Sequence, residues 1–313
     1  KEFWMDELLD SPLATIAEAI RSKKTTSLAV TRGFIDRIER VNPALNALVY
    51  STAELAIKMA EKADLALQNQ EPAGKLQGVP ITIKDSLDTK DAITTWGTLG
   101  RKNFRPGRDA TCVSRLRNAG AIIMGKTNTP EFTMSFQTSN LVYGTTKNPF
   151  DTERTPGGSS GGAAALIAAS ATPMDIGTDT GGSIRLPSHF CGITGIKPTT
   201  GRVPCTGNAL PSSGLYAPLT QPGPMARYVD DLSFILDIIQ GPDNIDPHCV
   251  PGTTYEWEDV KDVLDYVQFS ADELTGRIDG FLIGCVKREV VTQKEADEFL
   301  SLYKAGLSGY TYL

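Results

Sequence analysis

Histidine is almost missing: His189 and His248 are the only two in 313 residues. A serine or cysteine nucleophile served by imidazole has few options here, and a histidine-rich metal centre has none. Cysteine is sparse and scattered. Cys112, Cys191, Cys205, Cys249 and Cys285 are odd in number and form no Cys-x-x-Cys pair. That argues against a disulfide framework or a zinc cluster and for reduced, cytoplasmic thiols. No run of 18 apolar residues occurs, so no membrane-spanning helix and no membrane partner are expected. Residues 1–9 lack the basic stretch and apolar run of a secretory signal. Positive charge is not in excess either. Lys and Arg total 31 against 37 Asp and Glu, a net charge of -6, which argues against a nucleic-acid partner.

What is present is a globular composition, 40% hydrophobic and 22% charged, enough for a sizeable core. Helical spacing runs through 12–41, with Leu13, Ile16, Ala17 and Ile20 on one face and Leu28, Phe34, Ile35 and Ile38 continuing it. Asn42-Pro43 predicts the end of that second helix. A further helix fits 52–68, another 109–119 opened by Asp109, a small-residue helix 161–171, and an amphipathic one 228–240. Short apolar strands are predicted at 79–84, 121–124, 174–177 and 278–287. Alternating helices and apolar strands predict an α/β chain with a covered sheet. Residues 141–224 are dense in Gly, Ser, Thr and Pro, yet apolar segments are threaded through them. That stretch reads as built into a core, where backbone amides can approach a ligand, and not as a linker.

Three segments gather the candidate chemistry: 78–85 (GVPITIKD), 156–162 (PGGSSGG) and 177–185 (GTDTGGSIR). Gly181 and Gly182 before Ser183 let consecutive amides turn toward one point, a donor set suited to an oxyanion. The serine needs a base. Lys84 ends an apolar strand, where desolvation lowers a lysine pKa from about 10.4 toward roughly 7–8. Taken singly, a lysine after a strand is usually a solvated loop residue and Gly-Gly-Ser a turn. Other patterns compete. Residues 158–162 fit Gly-x-Ser-x-Gly around Ser160, but no strand precedes them. Residues 120–127 fit the letters of a phosphate-binding loop, Gly-x4-Gly-Lys-Thr, but the middle four read as a strand. Cys112, Cys191 and Cys205 read as inert buried thiols.

In order along the chain, GVPITIKD, GKTNTPEF, YGTTKNP, RTPGGSSGGAAALIA, GTDTGGSIRLPSHFCGITGIKPTTGRVP and GPMARYVDDL closely resemble the amidase signature family, with residues 157–203 as its defining core. The resemblance implies a large mixed β-sheet covered by helices on both faces. It implies one domain over 1–313, with a helical portion at 1–70 and the catalytic core at 71–240, part of the family's C-terminal region falling outside this sequence. It also implies a Ser–cis-Ser–Lys triad without cofactor or metal. Ser183 is similar to the acylating nucleophile, Ser159 to the bridging serine after a cis Gly158–Ser159 peptide, and Lys84 to the base. The amides of Thr180, Gly181, Gly182 and Ser183 resemble the oxyanion hole. Ser160, Asp179 and Arg185 are expected to order these groups, and Gly158, Leu210 and Tyr216 to meet the substrate.

The implied function is hydrolysis of a C–N amide bond, with esters and carbamates as further targets, in small apolar or aryl substrates. The apolar run 210–219 (LPSSGLYAPL) favours such a substrate. The alternative is the glutamine-dependent amidotransferase of the A type, which serves charged tRNA, shares all three motifs and works with partner subunits. A catalytically silent binding protein is the third reading, disfavoured because Lys84, Ser159 and Ser183 are intact. A small-molecule amide is the expected partner, with a homodimer as the default assembly.

Overall fold

The computed structural model describes residues 2–210 and 216–249, together with positions 293, 294 and 297. The chain divides into two compact units, Lys1–Gly252 and Thr253–Leu313. The elements that build the site all belong to the first. The strand predicted at 278–287 lies outside the described residues.

The elements run α1 (Glu2–Leu9), α2 (Leu13–Arg21), α3 (Ser27–Leu45), β1 (Leu48–Ser51), α4 (Ala53–Gln68), β2 (Pro80–Lys84), α5 (Thr111–Asn118) and β3 (Ile122–Thr127). Then come β4 (Ser139–Asn140), β5 (Gly144–Thr145), α6 (Gly161–Ala168), β6 (Met174–Asp179), α7 (Arg185–Phe190), β7 (Thr194–Gly195), β8 (Gln221–Ala226) and α8 (Val229–Ile239). One sheet has the order β1-β3-β2, with β2 parallel to β3; another has the order β6-β8-β7, antiparallel throughout. β2 and β6 lie side by side and join the two. This is an α/β fold with mixed sheets. Its main core packs Ile16, Ile20, Val30, Phe34 and Ile38 of α2 and α3 with Ile81, Ile83 and Ile123 of the sheet.

Three boundaries differ from the sequence reading. Helix α3 runs through Pro43 to Leu45. A proline near a helix end forfeits a single amide bond, and the real stop is Asn46 in the left-handed conformation, its amide donating to Asn42 O. The Asn42 side chain then takes the amides of Ala47 and Leu48. Helix α5 begins at Thr111, and Asp109 does not cap it. Its carboxylate accepts from the Lys90 amide and pairs with Arg117. Helix α6 stops at Ala168, short of 171.

β8 is the element the sequence hides, because Gln-Pro-Gly-Pro-Met-Ala reads as a turn. It is nonetheless the central strand of its sheet. Pro224 O accepts from the Ile196 amide, so residues 222, 224 and 226 face β7 and residues 221, 223 and 225 face β6. The two prolines therefore place their missing donors on the β7 side, where the neighbour is only two residues long.

Candidate active site

β2 delivers Lys84. Its sequence, Pro-Ile-Thr-Ile-Lys, is buried at every position and rich in β-branched residues. The lysine is fully buried, and its Nζ donates to Ser159 Oγ (2.7 Å), Ser160 Oγ (2.8 Å), Thr178 Oγ1 (2.9 Å) and Thr178 O (3.3 Å). Every one of these acceptors is neutral. Burial pushes the ammonium down to about 7, with Asp179 and Asp175 opposing.

The two serines lie at the start of α6, where Ser160 is the N-cap residue. The Gly158–Ser159 peptide bond is cis, as the resemblance implies. Gly158 is enclosed by backbone, since a side chain there would come within 2.7–2.9 Å of Ser135 O, Phe136 C and Gln137 N. Thr138 Oγ1 donates to Gly157 O and accepts from the Gly161 amide, pinning both ends of the serine turn.

β6 ends at Asp179 and runs straight into Thr180, Gly181, Gly182 and Ser183. Ser183 O accepts from the Ser160 amide at 3.1 Å, so the nucleophile candidate and the serine turn are tied by backbone. The Asp179 carboxylate gathers the turn around itself. It accepts from the amides of Gly182 (2.7 Å), Ile184 (3.0 Å) and Arg185 (3.3 Å) and from the Arg185 guanidinium twice (3.0 Å each). Burial raises this carboxyl, but those donors outweigh burial and hold it at about 2. The Gly182 amide, one of the four expected in the oxyanion set, is thus taken by Asp179. Among the described residues no acceptor takes the amides of Gly181 and Ser183. Gly182 adopts φ 124°, a conformation that suits glycine alone.

Two of the residues expected at the substrate connect through hydrogen bonds to the strands and turn described above. Leu210 follows Ala209, whose amide donates to Ser86 O, and Ser86 Oγ meets Thr178 Oγ1 at 3.3 Å. Tyr216 is exposed; its carbonyl accepts from Thr220 Oγ1, which meets Thr180 Oγ1 at 2.8 Å. Residues 211–215 of the apolar run lie outside the described set. The Phe136 ring, 61% exposed, comes within 4.0 Å of where a Gly182 side chain would stand.

The competing patterns disperse. The apolar middle of 120–127 lies in β3, and Lys126 is buried there, donating to Leu87 O, Thr89 Oγ1 and Thr94 Oγ1. Ser160 has a turn before it and no strand. His189 sits in the last turn of α7 with its ring against Phe190. Cys112, Cys191, Cys205 and Cys249 are free and buried, and burial pushes their thiols up to about 11–12. No group of metal-ligating side chains and no helix long and apolar enough to cross a membrane occurs among the described residues. Sequence reasoning missed Thr178 and Thr138. Thr178 could have been found from its place directly before Asp179 in the 177–185 segment.

A family model described as Amidase matches residues 29–295. The chain belongs to the amidase family. It is 38% identical over 289 residues to the A subunit of the glutamyl-tRNA(Gln) amidotransferase from Sulfurihydrogenibium sp., covering 90% of this chain and 59% of that protein. It is 42% identical over 275 residues to the protein of the same name from Coxiella burnetii, covering 88% of this chain and 53% of that one. Among solved structures, a bacterial aryl acylamidase of the amidase signature family superposes with a TM-score of 0.73 at 33% identity, covering 78% of this chain and 50% of the other. The chain thus spans a little over half the length of these curated relatives.

Proposed function

We propose that this amidase-family chain hydrolyses a C–N amide bond through an acyl-enzyme on Ser183. The observation that carries the reading is Lys84, fully buried among neutral oxygens and 2.7 Å from Ser159 Oγ. Neutral Lys84 takes the Ser159 proton as Ser159 takes that of Ser183, and Ser183 Oγ attacks the carbonyl carbon. The resulting oxyanion is met by the amides of Gly181 and Ser183, with Thr180 adjoining, while Asp179 keeps the Gly182 amide for the turn itself. Ser159 then returns a proton to the departing nitrogen. Water, deprotonated by the same relay, releases the acid.

The curated relatives favour glutamine as the amide, in an amidotransferase of the A type working with partner subunits. A second reading, a small apolar or aryl amide, is supported by the exposed Phe136 ring beside the oxyanion turn and by the aryl acylamidase likeness. The test is labelling with a fluorophosphonate probe and peptide mapping, followed by turnover of glutamine against an aryl anilide. The expected adduct is on Ser183 and disappears in Lys84→Ala. An adduct on Ser160, or full labelling of a folded Lys84→Ala variant, ends the triad reading. Ammonia release from glutamine selects the first substrate, and anilide cleavage the second.

A further inference from the structure

The carboxylate of Asp175 lies in the seam between the two sheets, and both strands that frame the base are tied to it. Its Oδ2 accepts from Thr82 Oγ1 (2.7 Å) and from Thr127 Oγ1 (3.0 Å). Thr82 stands two residues before Lys84 on β2. Thr127 is the residue of β3 in register with Lys84, and its carbonyl takes the Asp85 amide at 2.9 Å. One oxygen on β6 therefore fixes β2 and β3 at the level of the lysine. The other oxygen, Oδ1, has no hydrogen-bond partner among the described residues, and the side chain is fully buried. A structural brace alone would be served as well by an asparagine, whose carbonyl oxygen can accept both hydroxyls.

We propose that Asp175 is a positioning residue for Lys84, holding the strands that present the base and supplying a carboxylate against which it titrates. This rests on the reading of Lys84 as the base. The other charged groups around the lysine are accounted for. Asp179, at the end of β6, also favours the charged lysine, and it is paired with Arg185. Lys126 on β3 pairs with Asp85 at 4.0 Å. Arg37 of α3, which packs on β2, is engaged by Asp6 and Asp10, and the other charged side chains of that helix are exposed. Helix α6 and strand β8, the neighbours of β6, carry no titratable side chain. Burial raises the Asp175 carboxyl to about 7 against the hydroxyls of Thr82 and Thr127 and the charge of Lys126, and its own charge opposes the burial that lowers the Lys84 ammonium.

The test is the pH dependence of fluorophosphonate labelling of Ser183 between pH 5 and 9. An ionised Asp175 favours the protonated lysine, so its removal lowers the Lys84 pKa. Asp175→Asn should move the acid limb down by about one pH unit, with the plateau rate within a few-fold of the parent. Thr82→Val, which removes one donor to the carboxylate and so keeps it protonated to higher pH, should move the limb the same way by less. It serves also if Asp175→Asn does not fold. Acid limbs that overlay the parent or move upward overturn the inference. Lys84→Ala labelling at the parent rate overturns the base assignment instead.

Discussion

Lys84 is held at a cost to the fold. Its ammonium is lowered from 10.5 to about 7 by burial. Between those values the unfolded chain binds a proton that the folded chain does not, so stability rises with pH across that window. Below about pH 7 the whole penalty is present, on the order of 5 kcal/mol for a shift of that size. Lys84→Met removes the ionisable group and keeps most of the volume. The variant should be inactive yet melt at or above the parent at pH 7, and the difference should narrow as pH rises toward 10. Parallel melting curves at every pH would contradict a buried neutral lysine. The base was legible in the sequence because an apolar strand ends on it. Asp175 was not, since nothing in Met-Asp-Ile-Gly says that its carboxyl meets threonines from two strands distant in sequence.

At the scale of elements, short polar groups do what long hydrophobic runs cannot. Asp179 converts a glycine-rich segment into a fixed turn by taking three amides and a guanidinium. Because its carboxyl is held at about 2, the stability it adds is fully present above the unfolded value near 3.9 and is lost as pH falls through about 2. Asp179→Asn should lower labelling or turnover by about 10²-fold, the scale of losing one oxyanion donor, while near-ultraviolet dichroism stays native. Helix α8 is ended in the same manner from a distance, by Arg115 donating to the carbonyls of Ile239, Gln240, Gly241 and Pro242. Glycine at 162 answers a packing demand. A side chain there would stand 2.3 Å from the Asn128 amide nitrogen and 2.9 Å from Ala47 O. Gly162→Ala should cost about 1–3 kcal/mol by overpacking, read as a fall in melting temperature. The long periodic helices and apolar strands were legible because periodicity is a local signal. The proline-bearing β8 was not, because what makes it a strand is the side on which its neighbour happens to be short.

For the whole described unit, the α/β class follows from the alternation of element types, while the joining of two sheets through β2 and β6 depends on contacts far apart in sequence. Several large apolar side chains remain outside the core, with Leu141 at 83% and Phe150 at 75% exposure. Neither belongs to the buried core, so Leu141→Ser and Phe150→Ser should each leave stability within about 0.5 kcal/mol of the parent. Light scattering at high concentration should fall in both, since less apolar surface is offered to neighbouring molecules.

The turn at 180–185 also carries an alternation that solvent can read. The amides of Gly182 and Ile184 are locked onto one carboxylate, while those of Gly181 and Ser183 between them find no acceptor among the described residues. In deuterated water, neighbouring residues of one short loop would therefore trade their protons on different clocks. The slow pair would report how firmly the scaffold is set. The fast pair would slow when an anion comes to rest there.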